Sequence, residues 1–283
     1  MRSDTLRVSG ANIYYEVRGN GPLLLLIPGG GGDAAVVDPI ADLLAERFTV
    51  ACLDPRGYSH STIDDGAPLD QRVEVQSADV HRLITHLTDE PAYVFGGSSG
   101  AIVGLDLLAR HPERVHRLVA HEPPCFAILP DADAQAAFVD EVYTLFRTEG
   151  LGAAGARFLR GIGGTMKPLP DPASLPPRAQ AMMARLLANS PIMMEHELRQ
   201  FTSHIPDIEA LVKVADRLVL AVGRETGNHL PARPAAVLAE RLGLEVTRFP
   251  GGHSGFTDEP EAFANLLRDA FPIQPGRAVS VGT

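Results

Sequence analysis

Short apolar runs alternate along this chain with longer segments whose apolar residues recur every three or four positions. Leu23 to Ile27 is a continuous apolar run ended by Pro-Gly, which is typical of a strand buried on both faces of a sheet. A hairpin with its turn at Ser9-Gly10 precedes that run. Strands that alternate with helices after an antiparallel start predict an α/β fold. We expect a mostly parallel, eight-stranded sheet with helices on both faces.

The alternation is interrupted once, between about Pro123 and Val214, where helical patterns occur without a convincing strand. We therefore divide the chain into a core (1–124 and 213–273), an inserted helical cap or lid (125–212) and a flexible, fraying tail (274–283). Sheets of this type bind ligands at the carboxyl ends of their strands, so the cap should cover that edge. Within the cap the predicted helices are 133–147, 153–159, 178–188 and 193–201.

The composition excludes several classes of protein. Apolar residues make up 45% of the 283 residues, enough for a sizeable core, and the formal net charge is −10. Such an acidic chain without Lys/Arg-rich runs is not expected to bind nucleic acid or an anionic membrane. No signal peptide or bilayer-spanning run is evident, which predicts a cytoplasmic protein. A small-molecule substrate is the expected partner, and a homodimer is left open.

The sharpest local motif is Gly-Gly-Ser-Ser-Gly at residues 96–100, a G-x-S-x-G between a predicted strand and a predicted helix. A serine on so tight a turn has strained backbone angles, and glycines on either side remove the clashes that side chains would make. Ser98 has Gly96 and Gly100 at the right spacing and is the predicted nucleophile. Ser99 is the rival, but its position favours another role, in which its backbone N–H is a donor to an oxyanion.

Two further glycine-rich loops complete the pattern. Residues 28–33, Pro-Gly-Gly-Gly-Gly-Asp, follow the buried strand, and the Gly30 N–H is the predicted second oxyanion donor. A phosphate-binding loop is the alternative, but no Lys-Ser/Thr follows the glycines. His253 lies between glycines in a loop after the last predicted strand, where a mobile general base is needed.

These motifs resemble the α/β-hydrolase superfamily over nearly the whole chain. Residues 53–59, Leu-Asp-Pro-Arg-Gly-Tyr-Ser, are similar to its Asp-x-Arg-Gly-x-Gly-x-Ser turn, with Tyr58 and Ser59 departing from the pattern. That turn has a mainly structural role in the superfamily, so we expect the departure to matter little. Pro28 replaces the usual His of the His-Gly pair and leaves the oxyanion glycines intact.

The resemblance leaves two candidates for the acid that orients His253. Glu225 follows the penultimate strand, where the superfamily usually places its acid. Glu122 follows the strand after the nucleophile helix, 24 residues beyond Ser98. The Ser-Ser-Gly-Ala elbow and the His-Glu-Pro segment resemble the zearalenone-hydrolysing lactonases, whose acid has the same spacing. We favour Glu122 and keep Glu225 as the alternative.

The resemblance implies a serine hydrolase that cleaves a carboxylic ester or lactone of an apolar small molecule through an acyl-enzyme. No His/Cys/carboxylate group has metal-ligand spacing, so neither a metal nor a cofactor is expected. Two alternatives stay open. One is a carbon–carbon bond hydrolase, cofactor-independent haloperoxidase or cyclase on the same fold, and the other is a small-molecule binding protein.

Overall fold

A computed structural model describes residues 1–164, 171 and 174–273, so the tail predicted at 274–283 lies outside the described residues. Its single sheet has the strand order β1-β2-β4-β3-β6-β7-β8-β9, with a short strand β5 paired to β2. The two strands at the β1 edge are antiparallel, and those from β4 to β9 are parallel. The predicted α/β fold with a mostly parallel sheet is confirmed. The strands are β1 Arg2–Val8, β2 Ala11–Arg18, β3 Leu23–Ile27, β4 Thr49–Leu53, β5 Thr62–Ile63, β6 Ala92–Gly97, β7 Val115–His121, β8 Leu218–Gly223 and β9 Val246–Phe249.

Helices cover both faces of the sheet, as the alternating pattern predicts. Apolar side chains of α2, α3 and α9 pack on one face, among them Leu83, Val103 and Leu238. Ile40 of α1 and Leu267 of α11 pack on the other. The helices are α1 Asp38–Leu44, α2 Val73–Leu87, α3 Ser99–Arg110, α4 Ala132–Glu149, α5 Leu151–Gly161, α6 Pro177–Ile192, α7 Leu198–Thr202, α8 Ile208–Val212, α9 Arg233–Leu242, α10 Gly255–Asp258 and α11 Pro260–Ala270.

Between β7 and β8 the described residues form α4 to α8 and turns, without a strand. Apolar residues of α4, α5 and α7 form a cluster separate from the two sheet-facing cores, with Phe138, Val142 and Leu198 among its members. The helix predicted at 193–201 is in fact divided, because a π-helical turn, Met193–Glu197, separates α6 from α7. The π-helical turn begins two residues after Pro191, which has no backbone N–H to donate within the helix.

Helix α6 is tied to the core by charged and polar side chains. Arg178 donates to Glu16 and Asp38 at 2.6 and 2.5 Å. Arg185 donates to the fully buried carboxylate of Asp33 at 2.6 Å. One turn further along, the Asn189 amide donates to the Gly31 carbonyl at 2.9 Å. These contacts fix α6 against the glycine-rich loop that follows β3.

None of the helices in the described part of the chain has both the length and the apolar character needed to cross a bilayer.

Candidate active site

Ser98 lies on the sharp turn between β6 and α3, with φ 54° and ψ −122°, a left-handed conformation that side-chain-bearing residues rarely adopt. The neighbouring glycines are required by close backbone contacts. A Cβ atom on Gly96 would lie 2.3 Å from the Gly100 carbonyl oxygen, and one on Gly100 would lie 2.4 Å from the Ile27 carbonyl oxygen. The turn therefore holds the Ser98 side chain at the carboxyl edge of the sheet, where it lines a cavity.

His253 and Glu122 are brought together from different strand ends. The His253 Nδ1 and Glu122 Oε2 atoms are 2.6 Å apart. The second carboxylate oxygen of Glu122 accepts the Gly223 N–H at 2.8 Å, and its own N–H donates to the Ala221 carbonyl at 2.9 Å. Because Glu122 is fully buried and held by β8, it presents a rigid acceptor to the imidazole.

The charge on Glu122 is stabilised by its neighbours. Burial acts to raise the pKa of this carboxyl, but the hydrogen bond and charge of His253, with a smaller contribution from His121, hold the pKa below its ordinary value. An ionised Glu122 can only accept at His253 Nδ1, so the proton lies on that nitrogen and Nε2 is left free as a base.

The alternative acid, Glu225, makes no hydrogen bond or ion pair with His253. Its residue is exposed, and its backbone N–H donates to the Gly251 carbonyl at 2.9 Å. Within the described ranges its carboxylate takes part in no hydrogen bond or ion pair. The two acids that sequence reasoning left open thus differ clearly in position, since only Glu122 contacts the imidazole.

The two predicted oxyanion donors belong to the wall of the same cavity. Gly30 and Ser99 both line it, together with Ser98 and His253. In the part of the chain that the structure describes, neither the Gly30 N–H nor the Ser99 N–H has an acceptor. Free N–H groups at a helix start and in a glycine loop are suited to binding a negatively charged oxygen.

The cavity has a volume of about 170 Å³ and a mostly apolar wall. Its walls come both from the core and from the helices between β7 and β8. Besides the residues already named, it is lined by Pro124, Phe126, Phe158, Ile162, Met193, Glu197, Leu198, Phe201, Thr202 and Pro231. Such a lining suits an uncharged, largely apolar ligand.

Sequence reasoning missed Glu197, which belongs to the π-helical turn and is buried in the cavity wall. Its Oε2 atom accepts the Tyr58 hydroxyl at 2.5 Å. Both departures from the superfamily turn lie close to this group, where Tyr58 is fully buried on the carboxyl and Ser59 has a left-handed φ of 52°. A sequence signal was available. Glu197 lies three residues after Met194 and four before Phe201, on the apolar face of the predicted helix.

His121, which precedes Glu122 in the chain, is fully buried. Burial lowers the pKa of its imidazole from 6.5 to about 4, so the ring is neutral near pH 7. Neither ring nitrogen has a hydrogen-bond partner among the described residues, and the aromatic rings of Phe95, Phe249 and Phe263 surround it. Because its ring is neutral, His121 does not form an ion pair with Glu122 in place of His253.

Sequence spacing also did not anticipate a group outside this cavity. His81, His111 and Glu113 place one potential ligand atom each within 4.8 Å of one another. The two imidazoles are stacked, with ring centroids 3.8 Å apart. Because metal–nitrogen bonds lie in the plane of each ring, parallel stacked rings do not direct their lone pairs at one point.

The fold and this arrangement define a class of enzyme. A sequence profile described as "alpha/beta hydrolase fold" matches residues 22–161. The chain belongs to the α/β-hydrolase family and is a hydrolase.

Individual relatives agree with this assignment. The chain is 37% identical over 276 residues to the uncharacterized hydrolase YraK of Bacillus subtilis, covering 95% of this chain and 96% of that protein. It is 36% identical over 129 residues to a zearalenone hydrolase of Cladophialophora bantiana, covering 44% of this chain and 48% of that enzyme. The crystal structure of a hydrolase from Pseudomonas aeruginosa superposes with a TM-score of 0.71 at 22% identity, over 96% of this chain and 98% of that one.

Proposed function

We propose that this hydrolase is a serine esterase or lactonase that cleaves a carboxylic ester or lactone of an apolar small molecule through an acyl-enzyme. The observation that carries the proposal is the 2.6 Å contact between His253 and the buried Glu122, in the cavity that Ser98 lines. A strained serine, a base with one free ring nitrogen and two free N–H donors are the parts that acyl transfer needs.

The proposed reaction runs in two steps. His253 Nε2 removes the Ser98 hydroxyl proton while Ser98 Oγ attacks the carbonyl carbon, and Glu122 stabilises the imidazolium that forms. The Gly30 and Ser99 N–H groups bind the oxyanion of the tetrahedral intermediate. The imidazolium then protonates the leaving alkoxide, and an ester bond joins the acyl group to Ser98. Water, deprotonated by His253, hydrolyses that ester and releases the acid.

The substrate class is proposed from the cavity and from one relative. The apolar wall around Ser98 favours an uncharged acyl group, and helices of the proposed cap (125–212) provide much of that wall. The relative named zearalenone hydrolase supports a lactone or ester among the bonds that α/β-hydrolases cleave. The cytoplasmic location and a homodimer remain predictions.

Covalent labelling tests the nucleophile directly. A fluorophosphonate probe should label the wild type, Ser98→Ala should abolish the labelling, and Ser99→Ala should retain most of it. The Ser99→Ala variant is a matched control, because it removes an adjacent hydroxyl and leaves the backbone N–H in place. Labelling that survives in Ser98→Ala and disappears in Ser99→Ala would reassign the nucleophile.

A substrate panel separates the competing chemistries. The proposal expects turnover of apolar esters or lactones and accumulation of an acyl-Ser98 adduct, detected by mass spectrometry after acid quenching. Turnover of β-diketones with no turnover of esters or lactones would indicate carbon–carbon bond hydrolysis instead. Tight ligand binding without probe labelling or turnover would indicate a binding protein.

A further inference from the structure

Glu197 is a buried carboxyl group that the triad chemistry does not use. It comes from the π-helical turn between α6 and α7, yet its side chain reaches the loops of the core. Only 3% of the residue is exposed. A Cβ atom on Gly30 would lie 2.5 Å from Glu197 Oε1 and 3.0 Å from the Ser99 hydroxyl. The carboxyl therefore lies directly against both residues whose N–H groups form the proposed oxyanion hole.

Three separate loops of the core meet at this carboxyl. Tyr58, in the turn after β4, donates its hydroxyl to Oε2 at 2.5 Å. The Ser99 hydroxyl, at the start of α3, and the Gly31 N–H, in the glycine-rich loop, face the same group. Two of these loops are also linked directly, because the Ser59 hydroxyl donates to Asp33 at 3.2 Å, and Asn189 bonds both Gly31 and Ser59. One side chain between β7 and β8 thus links the three segments that shape the site.

Glu197 lacks a paired cation in the described part of the chain. Unlike Glu122, Glu197 has no ion-pair partner in the described ranges. Among the ionisable groups of the surrounding loops, Asp33 is paired with Arg185, and His253, which lines the same cavity, is bonded to Glu122 through Nδ1. Burial raises the pKa of Glu197, against the opposing effects of Tyr58, Ser99 and Gly31, so the neutral acid is favoured to a higher pH than for an exposed glutamate.

We propose that Glu197 is a positioning residue that holds Gly30 and Ser99 in place and makes completion of the oxyanion hole depend on docking of the 193–197 turn. This inference rests on the proposed function. Ionisation of Glu197 would place a negative charge beside the developing oxyanion and raise the energy of the tetrahedral intermediate. Activity should therefore fall as the pH rises and Glu197 loses its proton.

The test compares three variants at the same site, using a chromogenic apolar ester as the substrate and the full chain throughout. Glu197→Gln keeps a neutral hydrogen-bonding group, so kcat near neutral pH should stay within about threefold of the wild type. The alkaline decline assigned to Glu197 should vanish in this variant.

Glu197→Ala removes the carboxyl group that holds Gly30 and Ser99 in place. Its kcat should fall about 10- to 100-fold, with KM within about threefold, because displaced oxyanion donors affect the transition state more than substrate binding. Tyr58→Phe removes a donor that favours the charged form, so it should move the alkaline decline to higher pH.

Glu195 supplies the matched control. It lies in the same π-helical turn, but its carboxylate accepts from Arg147 at 2.7 Å and from Tyr143 at 3.1 Å, away from the cavity. Glu195→Gln should keep the wild-type pH profile. A Glu197→Gln profile identical to that of the wild type, or a Glu197→Ala variant with unchanged kcat, would overturn the inference.

Probe labelling distinguishes a failure of the role proposed for Glu197 from a failure of the proposed serine hydrolase function. If Ser98 is labelled in the wild type while the Glu197 variants behave like the wild type, the serine hydrolase assignment stands and the role of Glu197 is refuted. If the wild type is not labelled at Ser98, the proposed function itself fails. Should Glu197→Ala not fold, the other two variants still give distinct, measurable changes, since the alkaline decline should vanish in Glu197→Gln and move to higher pH in Tyr58→Phe.

Discussion

The Nδ1 atom of His253 has one acceptor, the Glu122 carboxylate, and this contact fixes the tautomer in which Nε2 can remove a proton. Glu122→Gln replaces the carboxylate by an amide that no longer stabilises the imidazolium. We expect kcat to fall by orders of magnitude, up to about 10⁴-fold, while the fold survives. Steady-state kinetics with an ester substrate, together with circular dichroism, measures both.

The exposed Glu225 is the control for this substitution. Its carboxylate makes no hydrogen bond or ion pair in the described residues, so Glu225→Gln should keep kcat and KM near the wild-type values. A severe loss of turnover in Glu225→Gln, with Glu122→Gln nearly normal, would return the acid to the loop after β8.

His121 makes stability depend on pH. Its pKa is about 4 in the fold and 6.5 when unperturbed, so between these values the unfolded chain binds a proton that the folded protein does not. The free energy of unfolding should fall as pH decreases from about 6.5 to 4, by about 3 kcal/mol for this group. Above pH 6.5 both states are neutral and the contribution is constant.

His121→Leu removes the titrating ring and two buried nitrogens that have no partner in the described residues. Urea unfolding at several pH values should show a shallower loss of stability in this variant between pH 6.5 and 4 than in the wild type. Parallel curves over that interval would show that His121 binds its proton equally well in the folded and unfolded states.

At the scale of elements, the close approach of α3 to β3 depends on Gly100. A Cβ atom there would lie 2.4 Å from the Ile27 carbonyl oxygen and 2.5 Å from that of Pro28, and neither backbone oxygen can move freely. Gly100→Ala should lower the free energy of unfolding by more than about 3 kcal/mol, since the contact must be relieved by separating a strand from a helix. Urea denaturation measures the change.

Gly155 provides the comparison, because it also lies in a helix but a Cβ atom added to it would meet no neighbouring group of the described residues within 4 Å. Gly155→Ala should raise the free energy of unfolding by about 0.5–1 kcal/mol, since alanine loses less backbone entropy on folding. Equal effects at the two glycines would contradict the role given to the β3–α3 contact.

Elements with strong local patterns were predictable from the sequence. Residues 49–53 and 73–87 form the strand and helix that their apolar periodicity predicts. The two-residue strand β5, Thr62–Ile63, has no pattern of its own and exists because β2 offers it hydrogen-bond partners. The π-helical turn was also missed, since periodicity continues through it while the hydrogen bonding changes.

The candidate site likewise contains residues with a local sequence motif and residues whose positions depend on tertiary packing. Ser98, His253 and Glu122 each directly follow or closely adjoin a strand end with a recognisable local motif, so their positions could be proposed before any coordinates. Glu197 and Tyr58 are separated by 139 residues, and their contact depends on how the helices between β7 and β8 dock. No local sequence pattern predicts that docking. The available signal was the position of Glu197 on the apolar face of a predicted helix.

On the scale of the whole molecule, Arg185 joins α6 to the glycine-rich loop through the buried carboxylate of Asp33. Arg185→Ala would leave that charge without its cation. We expect the free energy of unfolding to fall by about 2–3 kcal/mol, less than for a fully buried pair because the Arg185 side chain is 23% exposed. KM should rise as α6 loosens from the glycine-rich loop, which contributes Gly30 to the cavity wall.

Two further variants sharpen this prediction. Arg72→Ala removes an arginine 3.6 Å from Glu74 in an exposed pair and should change stability by less than about 0.5 kcal/mol. Adding Asp33→Asn to Arg185→Ala removes the unpaired charge and should recover part of the lost stability. No recovery in the double variant would mean that Arg185 acts through packing rather than charge.

The segment from 125 to 212 leaves and rejoins the sheet at neighbouring strands, β7 and β8, so its replacement need not alter strand order. A chimera could therefore exchange this segment for that of a relative and acquire a new substrate preference on an unchanged core. The Glu197–Tyr58 contact restricts which exchanges succeed. If the segment taken from the relative has no acid at position 197, the buried Tyr58 hydroxyl loses its acceptor. Such a chimera should need Tyr58→Phe to regain stability. A chimera should therefore take residues 58 and 197 from the same relative, although residue 58 lies in the core and residue 197 in the exchanged segment.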